Sequence, residues 1–66
     1  MEIIRVSSSA ISAVGYDTGT QQMQIQFVQG KTYTFCHVPQ HIFDGLLSAG
    51  SKGTYYDHHI RDRYRC

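Results

Sequence analysis

The stretch from Gly50 to Tyr64, GSKGTYYDHHIRDRY, holds most of the residues whose chemistry could serve a ligand. Ser51 and Lys52 lie between two glycines, at the predicted start of a helix. The first N–H groups of a helix lack intrahelical partners and carry about half a positive charge, so they bind phosphate readily. Lys52 adds a full charge, and Gly53 lets a ligand approach the main chain. We predict an anion site here; the alternative is an ordinary serine cap followed by a solvated lysine.

Arginines and tyrosines alternate towards the end of the same stretch. Guanidinium groups bind phosphate in a two-pronged geometry and stack on bases, and tyrosine rings offer stacking faces. Arg61 follows the apolar Ile60 at the edge of a predicted helical stripe, so we expect it to bind a ligand. Arg63 and Arg65 are expected to complement the helix dipole instead. Tyr55 is included in the predicted site as a ring adjoining the anion cradle.

Three consecutive serines, residues 7–9, are a further candidate element. Their hydroxyl groups could donate to a phosphate or a base edge, or the run could simply form a bulge between two strands. Both interpretations stay open for Ser8 and Ser9. The predicted ligand-binding set is Ser51, Lys52, Gly53, Arg61, Tyr55, Ser8 and Ser9.

Catalysis and metal binding find little support in the pattern. The consecutive residues Asp57, His58 and His59 would point about 100° apart on a helix and would not converge on a substrate. The GxxxxGK[ST] phosphate loop and the nucleophile elbow are both missing. Cys36 and His37 are adjacent on a predicted strand and would face opposite sides, so they could not easily share an ion. We therefore predict a protein that is not an enzyme and has no metal site and no cofactor.

At 66 residues the chain is predicted to form one domain, residues 1–66. A chain of this length buries only roughly 60% of the surface that its unfolded form exposes, so its stability is expected to be marginal unless self-association or another supplement adds to it. Cys36 and Cys66 form no CxxC pair, and Cys66 is the last residue, where a chain tends to fray. We expect both to be free thiols in a reducing compartment.

The charge balance limits the partners. Six Lys and Arg residues against five Asp and Glu give a net charge of +1, which is far below that of a protein with a long nucleic-acid groove. No run approaches the roughly 20 apolar residues of a membrane span, and MEIIRVSSS lacks the pattern of a signal peptide. We expect a soluble, cytoplasmic protein with no membrane partner.

The periodicity changes once along the chain, from strand-like to helix-like. Residues 3–6 and 10–17 read as strands, and the turn DTGT after them allows a positive φ at Gly19. In QMQIQF, residues 22–27, apolar residues alternate with glutamines as in a half-buried strand, and KTYTFCH, residues 31–37, reads as its partner.

The turn between these two strands sets their register. A three-residue loop ending in a left-handed Gly30 pairs Tyr33 with Ile25 and Phe35 with Met23, whereas a two-residue loop would place both rings against glutamines. We therefore predict that Tyr33 and Phe35 are core residues. The opposite, polar face could meet solvent or a second copy. It carries Gln22, Gln24, Gln26, Thr32 and Thr34.

Helical spacing begins after the second strand of this hairpin. Pro39 suits a first helical position, Gly50 suits the residue beyond the last turn, and Ser51 can cap a second helix. We predict an α+β fold, with a small antiparallel β-sheet of three to four strands followed by two short C-terminal helices. The apolar residues of the first helix are Val38, Ile42, Phe43, Leu46 and Leu47, and those of the second are Tyr56, Ile60 and Tyr64.

The chain resembles the KTSC family, a short domain named for its occurrence at the C-terminus of some lysyl-tRNA synthetases. The resemblance rests on VSSSAISAVGYD, MQIQFVQGKTYTF, VPQHIF and SAGSKGTYYDHHIR, which together cover about nine tenths of the chain. The family's YxY appears here as Tyr33-Thr34-Phe35, so one hydroxyl is missing. The resemblance implies an α+β module that is found alone in bacterial and phage proteins, with a suggested role in RNA binding and no established catalytic activity.

Three functions remain open on these residues. The first is a small homo-oligomer that binds and sequesters a nucleotide, such as a cyclic signalling nucleotide, in a bacterial cell or a phage-infected host. The second is RNA binding, and the third is a protein-interaction module. We favour the small nucleotide, because it needs only a helix N-terminus, a lysine and an arginine, and because a pocket would form more naturally between subunits of so short a chain.

Overall fold

The computed structural model describes residues 1–66, and its strands precede its helices as predicted. The four strands form one antiparallel sheet in which each pairs with its neighbour in sequence. This architecture confirms the predicted α+β fold. The elements are β1 (Glu2–Arg5), β2 (Ile11–Asp17), β3 (Gln22–Phe27), β4 (Thr32–Phe35), α1 (Gln40–Ser48) and α2 (Lys52–His59).

The hairpin of β3 and β4 has the predicted register. Gly30 adopts a φ of 105°, a left-handed conformation that glycine tolerates without a Cβ penalty. Ile25 then pairs with Tyr33, and Met23 pairs with Phe35. Both predictions about this turn are confirmed.

The prediction that Tyr33 is a core residue is wrong. Phe35 is 8% exposed, but Tyr33 is 46% exposed. Strand β4 is an edge strand of the sheet, and two open grooves lie beside the Tyr33 ring. The ring contacts Phe27 edge-on, with 5.6 Å between centroids. Sharing the face of buried residues therefore does not bury Tyr33.

The turn between β2 and β3 differs from the prediction in one torsion. The left-handed residue is Gln21, with a φ of 59°, and not Gly19. The Asp17 carboxylate accepts hydrogen bonds from the N–H groups of Gly19 (2.9 Å) and Thr20 (3.4 Å). The carbonyl oxygen of Asp17 also accepts a hydrogen bond from the Gln21 N–H at 2.8 Å. These three hydrogen bonds reverse the chain around Asp17, and the left-handed residue is Gln21, directly before β3.

One hydrophobic core lies between the sheet and the two helices. A hydrogen bond of 2.6 Å from the Tyr16 hydroxyl to the Val38 carbonyl holds β2 to the segment before α1. The Tyr16 ring stacks on Phe43 of α1, with 5.0 Å between centroids. Nine buried residues form the core: Ile11, Val14, Met23, Ile25, Phe35, Val38, Phe43, Leu46 and Ile60.

Helix α2 begins as predicted and ends earlier than predicted. The Ser51 hydroxyl oxygen accepts a hydrogen bond from the Thr54 N–H at 3.4 Å, which confirms the cap. The helix ends at His59, since Ile60 has a non-helical φ of −120°, and the chain then turns at Asp62, which has a left-handed φ of 62°. Tyr64 is therefore half-buried against the core from a non-helical segment, and the predicted helical stripe is wrong at this residue.

The two helices pack closely through Tyr55. Its hydroxyl donates to the Ile42 carbonyl at 3.0 Å. The ring lies over Gly45, where an added Cβ would come within 2.2 Å of the Tyr55 oxygen. A residue without a side chain is thus required at the crossing of α1 and α2.

The prediction of two free thiols is wrong, because Cys36 and Cys66 form a disulfide. The Cys36 N–H donates to the Tyr64 carbonyl at 2.9 Å, and this hydrogen bond places the C-terminus beside the end of β4. The Cα atoms of Cys36 and Cys66 are 4.8 Å apart, a separation that a disulfide can span. Fraying of the last residue is prevented by the bond.

Neither helix has the length and apolar character that crossing a bilayer requires.

We expect the disulfide to contribute much of the stability. The disulfide joins residues that are 30 positions apart, so it restricts the unfolded chain. The double variant Cys36→Ser/Cys66→Ser lacks this restriction, and its free energy of unfolding should be lower by about 3–4 kcal/mol. Urea unfolding followed by circular dichroism, with and without dithiothreitol, measures this. The reductant should shift the parent protein and leave the double variant unchanged. Equal midpoints for parent and variant would contradict the bond.

The helix crossing gives a second prediction. Gly45→Ala should destabilise the protein by about 1–2 kcal/mol, because the Tyr55 ring must move and its hydrogen bond to Ile42 is lost. Gly50→Ala is the matched control, since nothing lies within 4 Å of its added Cβ. Thermal unfolding of both variants tests this, and equal melting temperatures would show that the crossing tolerates a side chain.

Candidate functional site

Three of the seven predicted ligand residues line one groove, which we call the serine groove. Ser9, Ser51 and Gly53 lie in it beside the β3–β4 turn. Its volume is about 500 Å³, and it is open to solvent. The full lining is Ser9, Ala10, Phe27, Val28, Gln29, Ser51, Gly53, Thr54, Tyr56 and Asp57.

The folding of the neighbouring segments explains why these residues meet. The hydroxyl oxygen of Ser8 accepts hydrogen bonds from the N–H groups of Ala10 (3.1 Å) and Ile11 (3.3 Å), so it shapes the loop before β2. Ala10 then packs against Gly53, whose added Cβ would lie 3.1 Å from the Ala10 Cβ. The serine loop and the start of α2 are therefore in direct contact, and Ser8 supports the groove without lining it.

A second groove adjoins the first, and we call it the aromatic groove. It has a volume of about 420 Å³ and shares Phe27, Gln29 and Tyr56 with the serine groove. Phe27 contacts Tyr33 edge-on and Tyr56 edge-on, with centroid distances of 5.6 Å and 5.1 Å. The lining is Phe27, Gln29, Tyr33, Tyr56, Arg61 and Asp62. Arg61 thus reaches the second groove, which the aromatic rings join to the first.

A third groove continues from the second, and we call it the C-terminal groove. It shares Tyr33, Tyr56 and Asp62 with the aromatic groove and has a volume of about 420 Å³. Its other lining residues are Thr34, Phe35, Arg65 and Cys66. The disulfide therefore forms part of this wall.

Lys52 and Tyr55 lie against α1 and not in the serine groove. The Lys52 ammonium donates to the Ala49 carbonyl at 3.1 Å, at the C-terminal end of α1. Tyr55 contacts the same helix through its hydroxyl and its ring, as described above. Their predicted role in binding remains a prediction, and the contacts that the structure gives them join the two helices.

The arginines around the grooves have carboxylate neighbours. Arg61 pairs with Asp57 at 3.6 Å, and both side chains are more than half exposed. Arg65 pairs with Asp62. Its hydrogen bond to that carboxylate, followed by its charge, lowers the pKa of Asp62. Arg63 has no carboxylate partner.

The five tyrosines divide into two classes. The hydroxyl groups of Tyr16 and Tyr55 donate to main-chain carbonyls, whereas those of Tyr33, Tyr56 and Tyr64 make no hydrogen bond within the chain. Burial, chiefly, raises the pKa of Tyr56 above the usual value for tyrosine. Tyr33 and Tyr56 therefore offer both a ring surface and an unengaged hydroxyl group.

Sequence reasoning missed the aromatic part of this site. Tyr33 and Tyr56 were expected in the core because they share the periodicity of buried residues, and Phe27 and Gln29 were not singled out. The YxY position of the family pattern was the one signal that could have drawn attention to Tyr33. Periodicity reports the face of the sheet on which a residue lies, and it does not report how far the cover over that face extends.

Side chains that could do other chemistry are dispersed. His58 and His59 are exposed, and the His59 ring lies at 37° to the Tyr55 ring with 4.5 Å between centroids. No three side chains of His, Cys, Asp or Glu lie close enough together to hold a metal ion. The grooves are lined by groups that donate hydrogen bonds, stack or carry charge.

Comparisons with known proteins agree with the fold. A family model described as KTSC domain matches residues 7–64. The crystal structure of a KTSC domain protein from Yersinia pestis superposes with a TM-score of 0.92 at 35% sequence identity, covering 96% of this chain and 89% of that one.

Two curated proteins give the range of sequence relatives. A protein of Tsukamurella paurometabola is 42% identical over 60 residues, covering 91% of this chain and 90% of the relative. A lysine–tRNA ligase of Nostoc punctiforme is 27% identical over 63 residues, which are 96% of this chain and 11% of the ligase.

Proposed function

The chain belongs to the KTSC domain family, and we propose that it is a non-catalytic protein that binds and sequesters a small phosphate-containing nucleotide as a homo-oligomer. The observation that carries this proposal is the continuity of the aromatic groove with the capped N-terminus of α2. A cyclic signalling nucleotide is the ligand class that we favour.

The aromatic groove supplies the surface for a base. The Tyr33 ring is nearly half exposed, and Phe27 and Tyr56 extend the surface from it. Stacking of a base on an aromatic side chain contributes about 1–3 kcal/mol and tolerates any base. Gln29, which lines both grooves, adds an amide that can donate to and accept from a base edge.

The serine groove supplies the binding position for a phosphate. Ser51 and Gly53 lie at the start of α2, where the first N–H groups have no intrahelical partners and the dipole favours an anion. Asp57 lies in the same groove, but Arg61 pairs with it and offsets its charge. A phosphate would compete with Asp57 for the Arg61 guanidinium, which is a charge-assisted partner for either anion.

Self-association would complete the site. Volumes of about 420 Å³ and 500 Å³ suit a nucleotide, but these are open grooves and not the enclosed pockets that bury most of a ligand. A second copy laid across them would exclude solvent from the stacked base. The oligomer is therefore part of the proposal.

RNA is the second candidate, and the likeness to part of a lysine–tRNA ligase favours it. Three connected grooves could also follow a strand. Against it, the net charge is +1, and Arg61 and Arg65 both have carboxylate partners. A polymer that contacts many phosphates needs more free cations than these.

A ligand screen separates the two candidates. Thermal unfolding should be measured with cyclic AMP, a cyclic dinucleotide, AMP and a single-stranded 12-mer RNA, each over a range of salt concentrations. A nucleotide at a hundredfold excess over its dissociation constant should raise the melting temperature by roughly 10–20 °C. Its affinity should depend weakly on salt, whereas RNA should show a steep dependence.

The same samples test the assembly. Light scattering should give a multiple of the 7.5 kDa chain mass in the nucleotide complex. A 7.5 kDa particle at saturation would remove the oligomer from the proposal. Stabilisation by the RNA alone, with a steep salt dependence, would replace the nucleotide by RNA.

Substitutions in the grooves give a prediction about affinity. Tyr33→Ala and Arg61→Ala should each weaken nucleotide binding tenfold or more, because they remove a stacking ring and a charge-assisted contact of about 1.5–3 kcal/mol. The Arg61 side chain is 62% exposed and Tyr33 is 46% exposed, so the melting temperature of the free protein should change less than for a core substitution. Isothermal titration calorimetry measures the affinities.

Arg63→Ala is the matched control, since Arg63 is exposed, lines none of the three grooves and has no carboxylate partner. It should bind as the parent does. If Arg63→Ala weakens binding as much as Arg61→Ala, the cations act through overall charge and the proposed site is wrong.

A further inference from the structure

The last six residues, 61–66, form a segment that leaves the end of α2 at Arg61, whose N–H donates to the Tyr56 carbonyl at 2.9 Å, and returns to the sheet at Cys66. Ile60, which precedes them, is completely buried in the core. Beyond Arg61 three contacts hold the segment on the core and the sheet: the half-buried Tyr64 ring, the hydrogen bond from the Cys36 N–H to the Tyr64 carbonyl, and the disulfide to Cys36. Ile60 is therefore a fixed point from which the segment could move if the bond opened.

This segment forms one wall of the proposed site. Asp62 lines the aromatic groove, and Asp62, Arg65 and Cys66 line the C-terminal groove. Tyr33 and Tyr56, the rings proposed to hold the base, line both grooves. The position of the segment thus determines the shape of the surface around these rings.

The chain bends sharply in each of the two stretches that the bond joins. His37, next to Cys36, has a φ of 58°, and Asp62, four residues before Cys66, has a φ of 62°. Left-handed conformations of non-glycine residues are uncommon, although Asp and His adopt them more readily than most. The turn at Asp62 directs the end of the chain back to the sheet, where the disulfide holds it.

The bond is open to a reductant. The Cys66 residue is exposed, and Cys36 is partly exposed. A thiolate can therefore reach the Cys66 sulfur without unfolding of the core.

We propose that the Cys36–Cys66 disulfide is a redox latch on the nucleotide site, so that the oxidised protein binds and the reduced protein binds weakly. The reductant is a dithiol. One of its thiolates attacks the Cys66 sulfur and displaces the Cys36 thiolate, which leaves a mixed disulfide with Cys66. The second thiolate of the reductant then attacks the reductant's own sulfur in this mixed disulfide and displaces the Cys66 thiolate. Two electrons pass from the dithiol to the protein sulfurs, each sulfur takes up a proton, and the dithiol becomes a disulfide. Residues 62–66 then leave the wall of the grooves, while Ile60 holds α2 on the sheet and Arg61 stays bonded to Tyr56 of α2. The binding part of this proposal rests on the proposed function.

Hydrogen exchange tests the latch without a ligand. Oxidised protein, protein reduced with dithiothreitol and Cys36→Ser/Cys66→Ser should be compared at 10 °C by mass spectrometry. We expect the amide of residue 36, which donates to the Tyr64 carbonyl, and the Arg63 amide, which donates to the Ile60 carbonyl, to lose protection in the reduced protein and in the variant. They should exchange at least tenfold faster than the amides of β3 and α1, which speed up only as far as the loss of global stability requires. Dithiothreitol should leave exchange in the variant unchanged, which controls for direct effects of the reductant.

The nucleotide that stabilises the oxidised protein most in the screen described above is then the probe for binding. Its affinity should fall at least fivefold on reduction and return on reoxidation. If the residue-36 and Arg63 amides stay as protected as those of β3 and α1, the disulfide is a general staple and the latch is wrong. Loss of protection at these two amides with unchanged nucleotide affinity also overturns it while leaving the proposed function intact. If no nucleotide binds the oxidised protein, the proposed function fails and the redox control of binding with it, whatever the exchange shows.

Discussion

One-sided burial of the sheet is the constraint on which the rest of the structure depends. Two helices of nine and eight residues cover the sheet, and β1 is exposed along its whole length. Met23 and Ile25 of the central strand β3 have no exposed surface, and they share one core with Leu46 and Ile60. Because this cover is short, Phe35 of the edge strand β4 is buried, whereas Tyr33 of the same strand is exposed. The exposed Tyr33 ring and the grooves around it are a consequence of that shortage.

The sequence was informative wherever a local pattern decides the structure. Alternation in QMQIQF predicts β3, the position of Gly30 predicts the hairpin register, and Ser51 predicts the start of α2. Each of these depends on residues within a few positions of one another. The disulfide depends on an association over 30 residues, brought about by the hydrogen bond between Cys36 and Tyr64, and no spacing rule reports such a contact. The end of α2 was missed for a similar reason, since the left-handed Asp62 follows from where the segment must go afterwards.

The candidate site was predictable only in part. Ser9, Ser51 and Gly53 meet in one groove, as a helix N-terminus beside a serine loop would suggest. Lys52 has the residue type for a phosphate contact, yet its ammonium binds the Ala49 carbonyl, because the end of one helix lies against the start of the next. Composition says that a cation is present and does not say whether a nearby carbonyl has already engaged it. The division of the tyrosines has the same origin: Tyr16 and Tyr55 find carbonyl partners through the tertiary fold, and Tyr33 and Tyr56 do not.

The distribution of charge then decides what size of ligand the surface suits. Arg61 and Arg65 each have a carboxylate within the same segment, so a ligand gains their charge only by displacing Asp57 or Asp62. These pairs are exposed, and pairs of this kind contribute about 0–1 kcal/mol, so a phosphate can displace one carboxylate at small cost. A strand of many phosphates would have to displace every pair and would still meet a nearly neutral protein. A ligand with one or two phosphates has to displace only one carboxylate from its arginine. The rest of its binding energy comes from stacking on the aromatic rings, which are more numerous on this surface than unpaired cations.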